Sequence, residues 1–270
     1  MQHFSADSLI LRAVDRGEHD KLLTVLTADY GRFYAILKGA HSMHRREAAA
    51  AEPYTLSNIE YYEKNGVKWV KNATAQESFP GIRYDMEKLF LAAYVAEVAF
   101  ELSDERQPAG EILPLALNTL YMLSVTKGED RRIKAAFELR AASIAGFLPD
   151  LSHCRHCGKP VTGDAYFDVM NGAPLCPQCA ERARGLLPPD AVDEFGDRAL
   201  YMPMPKGVLA AISFVVSAED KRVFSFRLLD ELSLSYFADI AEAYLLHHLE
   251  RGFPTLENYK KLVVITPPRK

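Results

Sequence analysis

The sequence predicts an α+β protein in which the strands come first and the helices follow. Three observations support this class. Short apolar segments bounded by turn residues fill roughly the first 80 residues. Beyond Pro80, apolar residues recur at intervals of three and four, the period of an amphipathic helix. The four cysteines of the chain form two pairs inside this helical part.

Length and composition are those of an ordinary globular protein. The chain has 270 residues, a hydrophobic fraction of 49%, a charged fraction of 25% and a formal net charge of −4. No apolar run approaches the roughly 18 residues that a membrane span needs, and Met1–Leu9 lacks the basic and apolar regions of a signal peptide. We therefore expect a cytoplasmic protein with reduced cysteines. The net charge gives no sign of nucleic-acid binding, so an anionic partner requires a local basic surface.

Five short strand patterns near the N-terminus predict a small barrel. They cover Leu9–Val14, Leu22–Thr27, Phe33–Leu37, Tyr54–Glu63 and Val67–Lys71. The Asn65-Gly66 pair tolerates the positive φ of a type I′ hairpin turn, whereas Gly39–Glu52, rich in Ala and charge, is predicted to be a loop. Because closure leaves no strand edge exposed, five strands of this length favour an OB-fold barrel over an open sheet.

Trp69 is the single tryptophan of the chain and shares a strand face with Val67. We expect its side chain to lie in the barrel core. The alternative is an exposed position on which a nucleobase stacks. Tyr34 and Tyr54 are further aromatic residues available on the barrel.

Helical periodicity follows the strands. The first apolar stripe is predicted at Met86, Leu89, Phe90, Ala93, Tyr94 and Ala96. Further helices are predicted around residues 112–123, 133–144, 206–214 and 229–243. A linker at Pro188-Pro189 and a frayed tail over 266–270 complete this part. We expect three domains: an OB-fold barrel over 1–80, a helical domain over 81–149 and 185–270, and a metal-binding module inserted at 150–184.

The cysteine spacing predicts a metal site. Cys154 and Cys157 form one C-x2-C pair, and Cys176 and Cys179 form a second after a gap of eighteen residues. This pattern is typical of a structural zinc site with four thiolate ligands and no open position. A redox centre or two disulfides are the alternatives. A further alternative is that His153 or His156 replaces one of the cysteine ligands.

A basic stretch suggests a surface for an anionic polymer. No acidic residue occurs from Tyr30 to Arg46. The candidate phosphate contacts are Lys38, Arg45 and Arg46, with Arg32 and Arg12 behind them. A positive groove with aromatic faces is how OB-folds bind single strands, although a solvated basic loop has the same composition.

No catalytic motif is recognisable in the sequence. A phosphate-binding loop of the G-x-x-x-x-G-K-[ST] type and a G-x-S-x-G nucleophile turn are both missing. Glu18, Asp20 and Glu97 are assigned no chemistry. We therefore expect a binding protein rather than an enzyme. The alternative is a zinc-stabilised enzyme, or an interaction protein with no direct role on DNA.

An ordered series of short motifs resembles the family of the bacterial recombination mediator RecO. The motifs are Gly17–Asp20, Leu26–Arg32, Ala35–Ala40, Phe137–Arg140, Gly146–Leu151 and Cys154–Gly158. The resemblance covers about residues 5 to 160 well and the C-terminal helices loosely. It departs from the family where His41-Ser42-Met43-His44 separate the Lys-Gly-Ala segment from Arg45-Arg46, since the family carries a denser basic run there.

The resemblance implies an N-terminal OB-fold, a helical domain and an inserted zinc module. It also implies a nucleoid-associated DNA repair protein that binds single- and double-stranded DNA and anneals complementary strands. With RecR, such a protein helps to load RecA on DNA coated by single-stranded DNA-binding protein (SSB).

The resemblance further implies that the acidic C-terminal tail of SSB docks on the chain, for which a sequence-level candidate is available. Arg132 and Arg140, with Arg131 and Lys134 nearby, flank the apolar positions of the third predicted helix. A solvated basic face is the alternative interpretation. If the tail docks elsewhere, the later helices over 229–249 are the next candidates.

Overall fold

The computed structural model describes residues 3–40, 45–186 and 201–265; for residues 45–47, 184–186 and 265 it describes the backbone alone. The chain divides into two compact units, Met1–Lys127 with Phe253–Lys270, and Gly128–Gly252. Within the described ranges, no helix is both long and apolar enough to cross a membrane. The predicted Pro188-Pro189 linker and the predicted frayed tail lie outside the described residues.

A closed five-stranded barrel opens the first unit. Its strands are β1 (His3–Arg16), β2 (Asp20–Thr27), β3 (Gly31–Leu37), β4 (Leu56–Lys64) and β5 (Val67–Glu77). They follow each other around the barrel in the order β1-β2-β3-β5-β4, and β4 pairs with β1 to close it. The β3–β5 pair is parallel and the other pairs are antiparallel. This is the Greek-key order of an OB-fold, so the predicted fold class is confirmed.

The barrel core follows from the two-residue period of the strands. Alternate residues of β3, which are Phe33, Ala35 and Leu37, point inward and are buried. The other members of the core cluster include Ile10, Leu23, Val25, Ile59, Tyr61, Val70 and Ala73. Successive side chains on a strand face opposite sides, so the inward direction of Val70 turns Trp69 outward. The prediction of Trp69 as a core residue is therefore wrong.

One end of the barrel is closed by a short helix that the sequence analysis missed. Helix α1 (Arg45–Ala50) lies inside the segment predicted to be a loop. Ala50 and Ala51 are buried in the barrel core cluster. The Ser57 hydroxyl donates to the Ala50 carbonyl at 2.7 Å and ties the helix to β4. The Ala-rich composition that indicated a loop instead fits a helix small enough to pack on the barrel end.

Helices of the first unit pack beside the barrel. They are α2 (Pro80–Arg83), α3 (Met86–Glu101), α4 (Ile112–Val125) and, from the end of the chain, α9 (Pro254–Ile265). Lys88 is buried, and its ammonium donates to the Leu123 carbonyl at 2.7 Å and to the Thr126 carbonyl, which satisfies the C-terminal end of α4. Glu97 accepts the backbone N–H of Thr255 at 3.2 Å and so caps α9.

The buried face of α3 differs from its predicted stripe. Met86 is 58% exposed, and Leu89 and Phe90 are only half-buried. The buried apolar residues are Leu91, Ala92, Tyr94, Val95, Ala96, Val98 and Ala99. Helix α3 packs on β1, α4 and α9, and its sequence is apolar over most of the helix surface. Hydrophobic periodicity alone therefore could not define which face of the helix is buried. On α4, by contrast, which was predicted around residues 112–123, the buried residues recur mostly at intervals of three and four: Ile112, Leu113, Leu115, Ala116, Thr119, Leu120 and Leu123.

The second unit contains the cysteines. It consists of α5 (Asp130–Ile144), α6 (Pro177–Leu186), α7 (Lys206–Ser217), α8 (Glu231–His248) and a sheet of β6 (Ala165–Asp168), β7 (Ala173–Leu175) and β8 (Tyr201–Met204). The sheet order is β7-β6-β8. Strand β8 comes after the cysteine segment in sequence, so the sheet beside the cysteines is completed by residues beyond position 184.

Gly31 is placed where a side chain has no room. Its φ is +62°, and a Cβ would lie 2.0 Å from the Gln107 carbonyl oxygen and 2.4 Å from that of Asp104. The neighbouring Arg32 N–H donates to the same Asp104 carbonyl at 3.0 Å. The glycine therefore allows the β2–β3 turn to lie directly against the chain that follows α3.

Gly31→Ala should lower the free energy of unfolding by at least about 2 kcal/mol, since left-handed strain and the carbonyl clash add together. Gly66→Ala is the matched control. That residue has a φ of +74° but no atom within 4 Å of the added Cβ, so about 1 kcal/mol is expected. Urea denaturation followed by circular dichroism compares the two. Equal losses would contradict the close approach.

Candidate functional site

A tight turn presents the first cysteine pair. The Cys154 N–H donates to the Lys159 carbonyl at 2.8 Å, and the Gly158 N–H donates back to the Cys154 carbonyl at 2.8 Å. Gly158 adopts a φ of +69°, which a glycine tolerates without strain. The turn therefore directs the Cys154 and Cys157 side chains to the same side.

The second pair is presented by the junction of β7 and α6. Cys176 follows β7 directly, and Cys179 lies in the first turn of α6. The Cys179 N–H donates to the Cys176 carbonyl at 3.0 Å. The Cys176 N–H donates to the Cys154 sulfur at 3.3 Å and so links the two pairs.

The four sulfur atoms form a cluster of metal-binding dimensions. They all lie within 4.8 Å of one another, and Cys157 and Cys176 are 3.9 Å apart. A tetrahedral ion with sulfur ligands at about 2.3 Å requires sulfur separations of about 3.8 Å. Cys154 and Cys179 are buried while Cys157 is exposed. Four soft donors in this arrangement fit a metal ion and would fill a tetrahedral coordination sphere.

Neither histidine beside the turn belongs to the cluster. Among the described residues, the metal-binding group consists of the four cysteines. The His153 Nδ1 atom lies 2.8 Å from the Ser152 hydroxyl instead. Both histidines are exposed.

The pKa values of Cys154 and Cys179 are shifted in opposite directions. Burial opposes ionisation of Cys154, but the N–H groups of Cys176, Cys157 and His156 outweigh it and lower the pKa of this thiol to about 6. Burial, followed by hydrogen bonding to the other three thiols, raises the pKa of Cys179 to about 12. A metal ion that binds all four sulfurs therefore has to displace the proton of Cys179.

A second candidate site is the outer surface of the barrel. Near Leu9 and Leu26 this surface is covered, because the chain after α3 is bonded to it: the Ala109 N–H donates to the Ala28 carbonyl at 2.9 Å. Towards the other end of β1, β2 and β3, the described residues leave Arg12, Arg16, Tyr34 and Lys38 exposed and Val14, Leu22 and Trp69 half-buried, while Ile36 is buried among them. We call this region the open barrel face and define it by Arg12, Val14, Arg16, Leu22, Tyr34, Ile36, Lys38 and Trp69.

Strand register assembles the open barrel face. Arg12 lies opposite Thr24, which lies opposite Tyr34. Arg12, Arg16 and Lys38 are exposed, and Tyr34 is 43% exposed. The Lys38 ammonium lies 4.5 Å from the centre of the Trp69 ring. Cations and aromatic rings therefore share one side of the barrel.

The predicted phosphate contacts do not all lie on this face. Lys38 and Arg12 do. Arg32 instead donates to the Phe100 carbonyl at 2.8 Å, with its guanidinium carbon 3.7 Å from the Phe100 ring centre. Arg45 and Arg46 begin α1, and their side chains lie outside the described residues.

Sequence analysis missed Arg16, Val14 and Leu22 as members of the face. The predicted first strand ended at Val14, whereas β1 continues to Arg16. Had the strand been extended by two residues, alternation would have placed Arg16 on the side of Arg12. The signal was therefore present, but the strand boundary concealed it.

The four cations proposed for a partner site are bonded within the second unit. Arg132 is 9% exposed and donates to the Phe224 carbonyl at 2.6 Å, to the Phe226 carbonyl at 3.2 Å and to Glu129. Arg140 donates to the Val216 carbonyl at 2.9 Å and to Asp220 at 3.1 Å. A carboxylate from a partner has to compete with these acceptors, and the docking role of both arginines remains a prediction.

Lys134 and Arg131 are paired with α8. Lys134 is buried, and its ammonium lies 2.7 Å from Glu138 and 2.8 Å from Glu242. Burial opposes its charged form, but the two carboxylates outweigh this and raise the pKa of Lys134. The Arg131 side chain is half-exposed, and its guanidinium lies 3.5 Å from Glu231 and from Asp239. The two cations thus join α5 to α8.

An OB-fold barrel, packed helices and four clustered cysteines define a class of α+β proteins that combine a barrel with a helical part and a candidate metal site. Comparison with known proteins identifies the family. The model of the recombination protein O N-terminal domain matches residues 1–79, and that of its C-terminal domain matches residues 83–192.

Individual relatives agree with the domain matches. The chain is 28% identical over 262 residues to the DNA repair protein RecO of Acetivibrio thermocellus, covering 97% of this chain and 98% of the relative. It is 35% identical over 214 residues to that of Anaeromyxobacter dehalogenans strain 2CP-C, covering 78% and 82%. It is 32% identical over 179 residues to that of Pelotomaculum thermopropionicum, covering 66% and 69%. The chain belongs to the RecO family of DNA repair proteins, as the sequence motifs indicated.

Arg132→Ala should lower the free energy of unfolding by about 1–3 kcal/mol, because it leaves the Phe224 and Phe226 carbonyls without their donor. Arg131→Ala is the matched control; its exposed ion pairs contribute at most about 1 kcal/mol. Urea unfolding of both variants measures the difference. If both variants unfold like the wild type, the Arg132 contacts are not structural.

Proposed function

We propose that this chain is a recombination mediator that binds DNA through the open barrel face. The observation that carries the proposal is the grouping of exposed Arg12, Arg16 and Lys38 with Tyr34 and Trp69 on one side of an OB-fold barrel. Binding of these cations to phosphates releases condensed counterions, which supplies affinity that does not depend on base sequence. Arg45 and Arg46, at the start of α1, are proposed as additional phosphate contacts.

Family membership supports the remaining steps of the proposal. The protein would bind single and double strands, anneal complementary strands and act with RecR to load RecA on SSB-coated DNA. These steps consist of binding partners and exchanging them, so we propose that the chain has no enzymatic turnover. We also propose that it acts at the nucleoid in the cytoplasm. The competing function is that of an interaction protein with no DNA contact of its own.

We also propose that the four-cysteine centre holds one Zn²⁺ with a structural role. Cys154, Cys157, Cys176 and Cys179 would bind it as thiolates, and the ion would fix the turn, β7 and α6 in one arrangement. Four protein ligands leave no position for water or substrate. The proposed metal therefore contributes to folding of the module around the cysteines and not to a reaction.

Metal analysis should find one zinc per chain after gentle purification, and Cys154→Ser should lose it while Ser152→Ala retains it. Because binding displaces protons, including that of Cys179, apparent affinity should fall about a hundredfold for each displaced proton between pH 8 and pH 6. Competition with a chromophoric chelator measures this fall. Well under one zinc per chain with reduced thiols would contradict the assignment.

Arg12→Ala and Arg16→Ala should each weaken single-strand binding and lower the slope of log affinity against log salt by about 0.7. Both substitutions should affect all base sequences alike. Fluorescence anisotropy with labelled oligonucleotides at several salt concentrations provides the measurement.

Lys127→Ala serves as the control for this DNA experiment, because Lys127 is an exposed cation that follows α4 and does not belong to the open barrel face. It should leave affinity and slope unchanged. If Arg12→Ala and Arg16→Ala behave like this control, DNA binds elsewhere. If the wild type shows no salt-dependent binding at all, the interaction-protein alternative is favoured.

A further inference from the structure

Apolar side chains run across the centre of the open barrel face. Val14 lies opposite Leu22, Leu22 opposite Ile36, and Ile36 opposite Trp69. Val14, Leu22 and Trp69 are half-buried, whereas Ile36 between them is only 3% exposed. This apolar row offers nothing to a phosphate group, because phosphates bind cations and hydrogen-bond donors. Its chemistry instead suits flat, weakly polar surfaces such as the faces of nucleobases.

Two aromatic rings border this row. Trp69 ends it on β5, and Tyr34 lies on β3 one step along the same face from Ile36. Same-side residues on a strand are separated by about 6.6 Å. Because Trp69 lies opposite Ile36 on the neighbouring strand, Tyr34 and Trp69 are diagonal neighbours about 8 Å apart at the backbone, which allows each ring to receive its own base of one strand. A duplex keeps its bases stacked inside and cannot present them to the rings.

Lys38 covers the indole that a base would need. Its ammonium lies 4.5 Å from the Trp69 ring centre, within range of a cation–π contact. The side chain is exposed, and its charge is equally suited to a phosphate. A base arriving on Trp69 can therefore displace Lys38 onto the phosphate of the same nucleotide, so that neither group loses a partner.

The acidic side chains near the row do not cancel the positive charge that a DNA strand requires. Asp20 lies at the same end of the face, opposite Arg16, and accepts the Gly39 N–H at 3.0 Å. Glu18, in the β1–β2 turn, has a side chain that is 92% exposed. Arg12, Arg16 and Lys38 outnumber these two carboxylates.

Resting on the proposed DNA binding, we propose that Trp69 and Tyr34 form a platform for unpaired nucleobases, with Lys38 moving from the indole to the phosphate. The platform makes the protein distinguish strands with free bases from a bare sugar-phosphate chain. The cations of the face supply affinity common to both, and the two rings supply the difference.

Oligothymidylate and an abasic oligonucleotide of the same length test this proposal, because they share phosphates and differ in bases. Wild type should bind the thymidylate strand at least about tenfold more tightly at equal salt. In Trp69→Leu this ratio should fall towards one, while Trp69→Phe should retain most of it. Tyr34→Leu should lower it independently. Tyr84→Leu, which alters an aromatic residue that is 92% exposed and outside the barrel, should keep the wild-type ratio.

Intrinsic fluorescence gives a second readout, since Trp69 is the only tryptophan in the chain. Thymidylate should quench it at saturation, and the abasic strand should not. Equal quenching by both strands, or an unchanged affinity ratio in Trp69→Leu with wild-type circular dichroism, would overturn the platform while leaving phosphate binding intact. Absence of salt-dependent binding to either strand would instead remove the proposed function on which the platform rests.

Discussion

The two-residue period of the barrel strands determines which side chains this protein can offer to a ligand. Each strand must place alternate residues in the core, and Phe33, Ala35 and Leu37 do so on β3. The residues between them are thereby forced outward, including Tyr34 and, just after the strand, Lys38. The open barrel face is therefore a direct consequence of building the core.

Contacts outside the barrel decide how much of that outer surface stays open. Gly31 and Arg32 hold the β2–β3 turn against Asp104, and Arg32 also bonds the last turn of α3. These contacts cover the surface around Leu26, whereas Arg12, Arg16, Tyr34 and Lys38 at the opposite end are exposed. The Leu26–Arg32 motif, one of those that resemble the family, thus has a structural reason at Gly31 and Arg32. A side chain at Gly31 would separate the β2–β3 turn from Asp104 and Gln107.

The cluster of four cysteines depends less on contacts between residues far apart in sequence. Both C-x2-C pairs occupy local structures, a tight turn and a strand–helix junction, whose hydrogen bonds form within a few residues. Hydrogen bonds from backbone N–H groups join them: the Cys176 N–H donates to the Cys154 sulfur, and the Arg155 N–H donates to the Pro174 carbonyl at 2.9 Å. Local geometry of this kind can be predicted from sequence spacing, which explains why the clustering of the four cysteines was predictable while the third strand of the adjoining sheet, β8, was not.

The sequence by itself determined the five-stranded OB-fold, the helices after Pro80 and the four clustered cysteines, because strand and helix periods and short ligand spacings are local properties. Only the tertiary structure decided that Trp69 points outward, that Arg32 donates a hydrogen bond to Phe100 in α3 and that the cations of α5 are bonded within their own unit. These outcomes depend on a register between strands and on packing between segments far apart in sequence. The same residue type can lie in a core, in an ion pair or on an exposed surface, and its neighbours in space determine which of these it does.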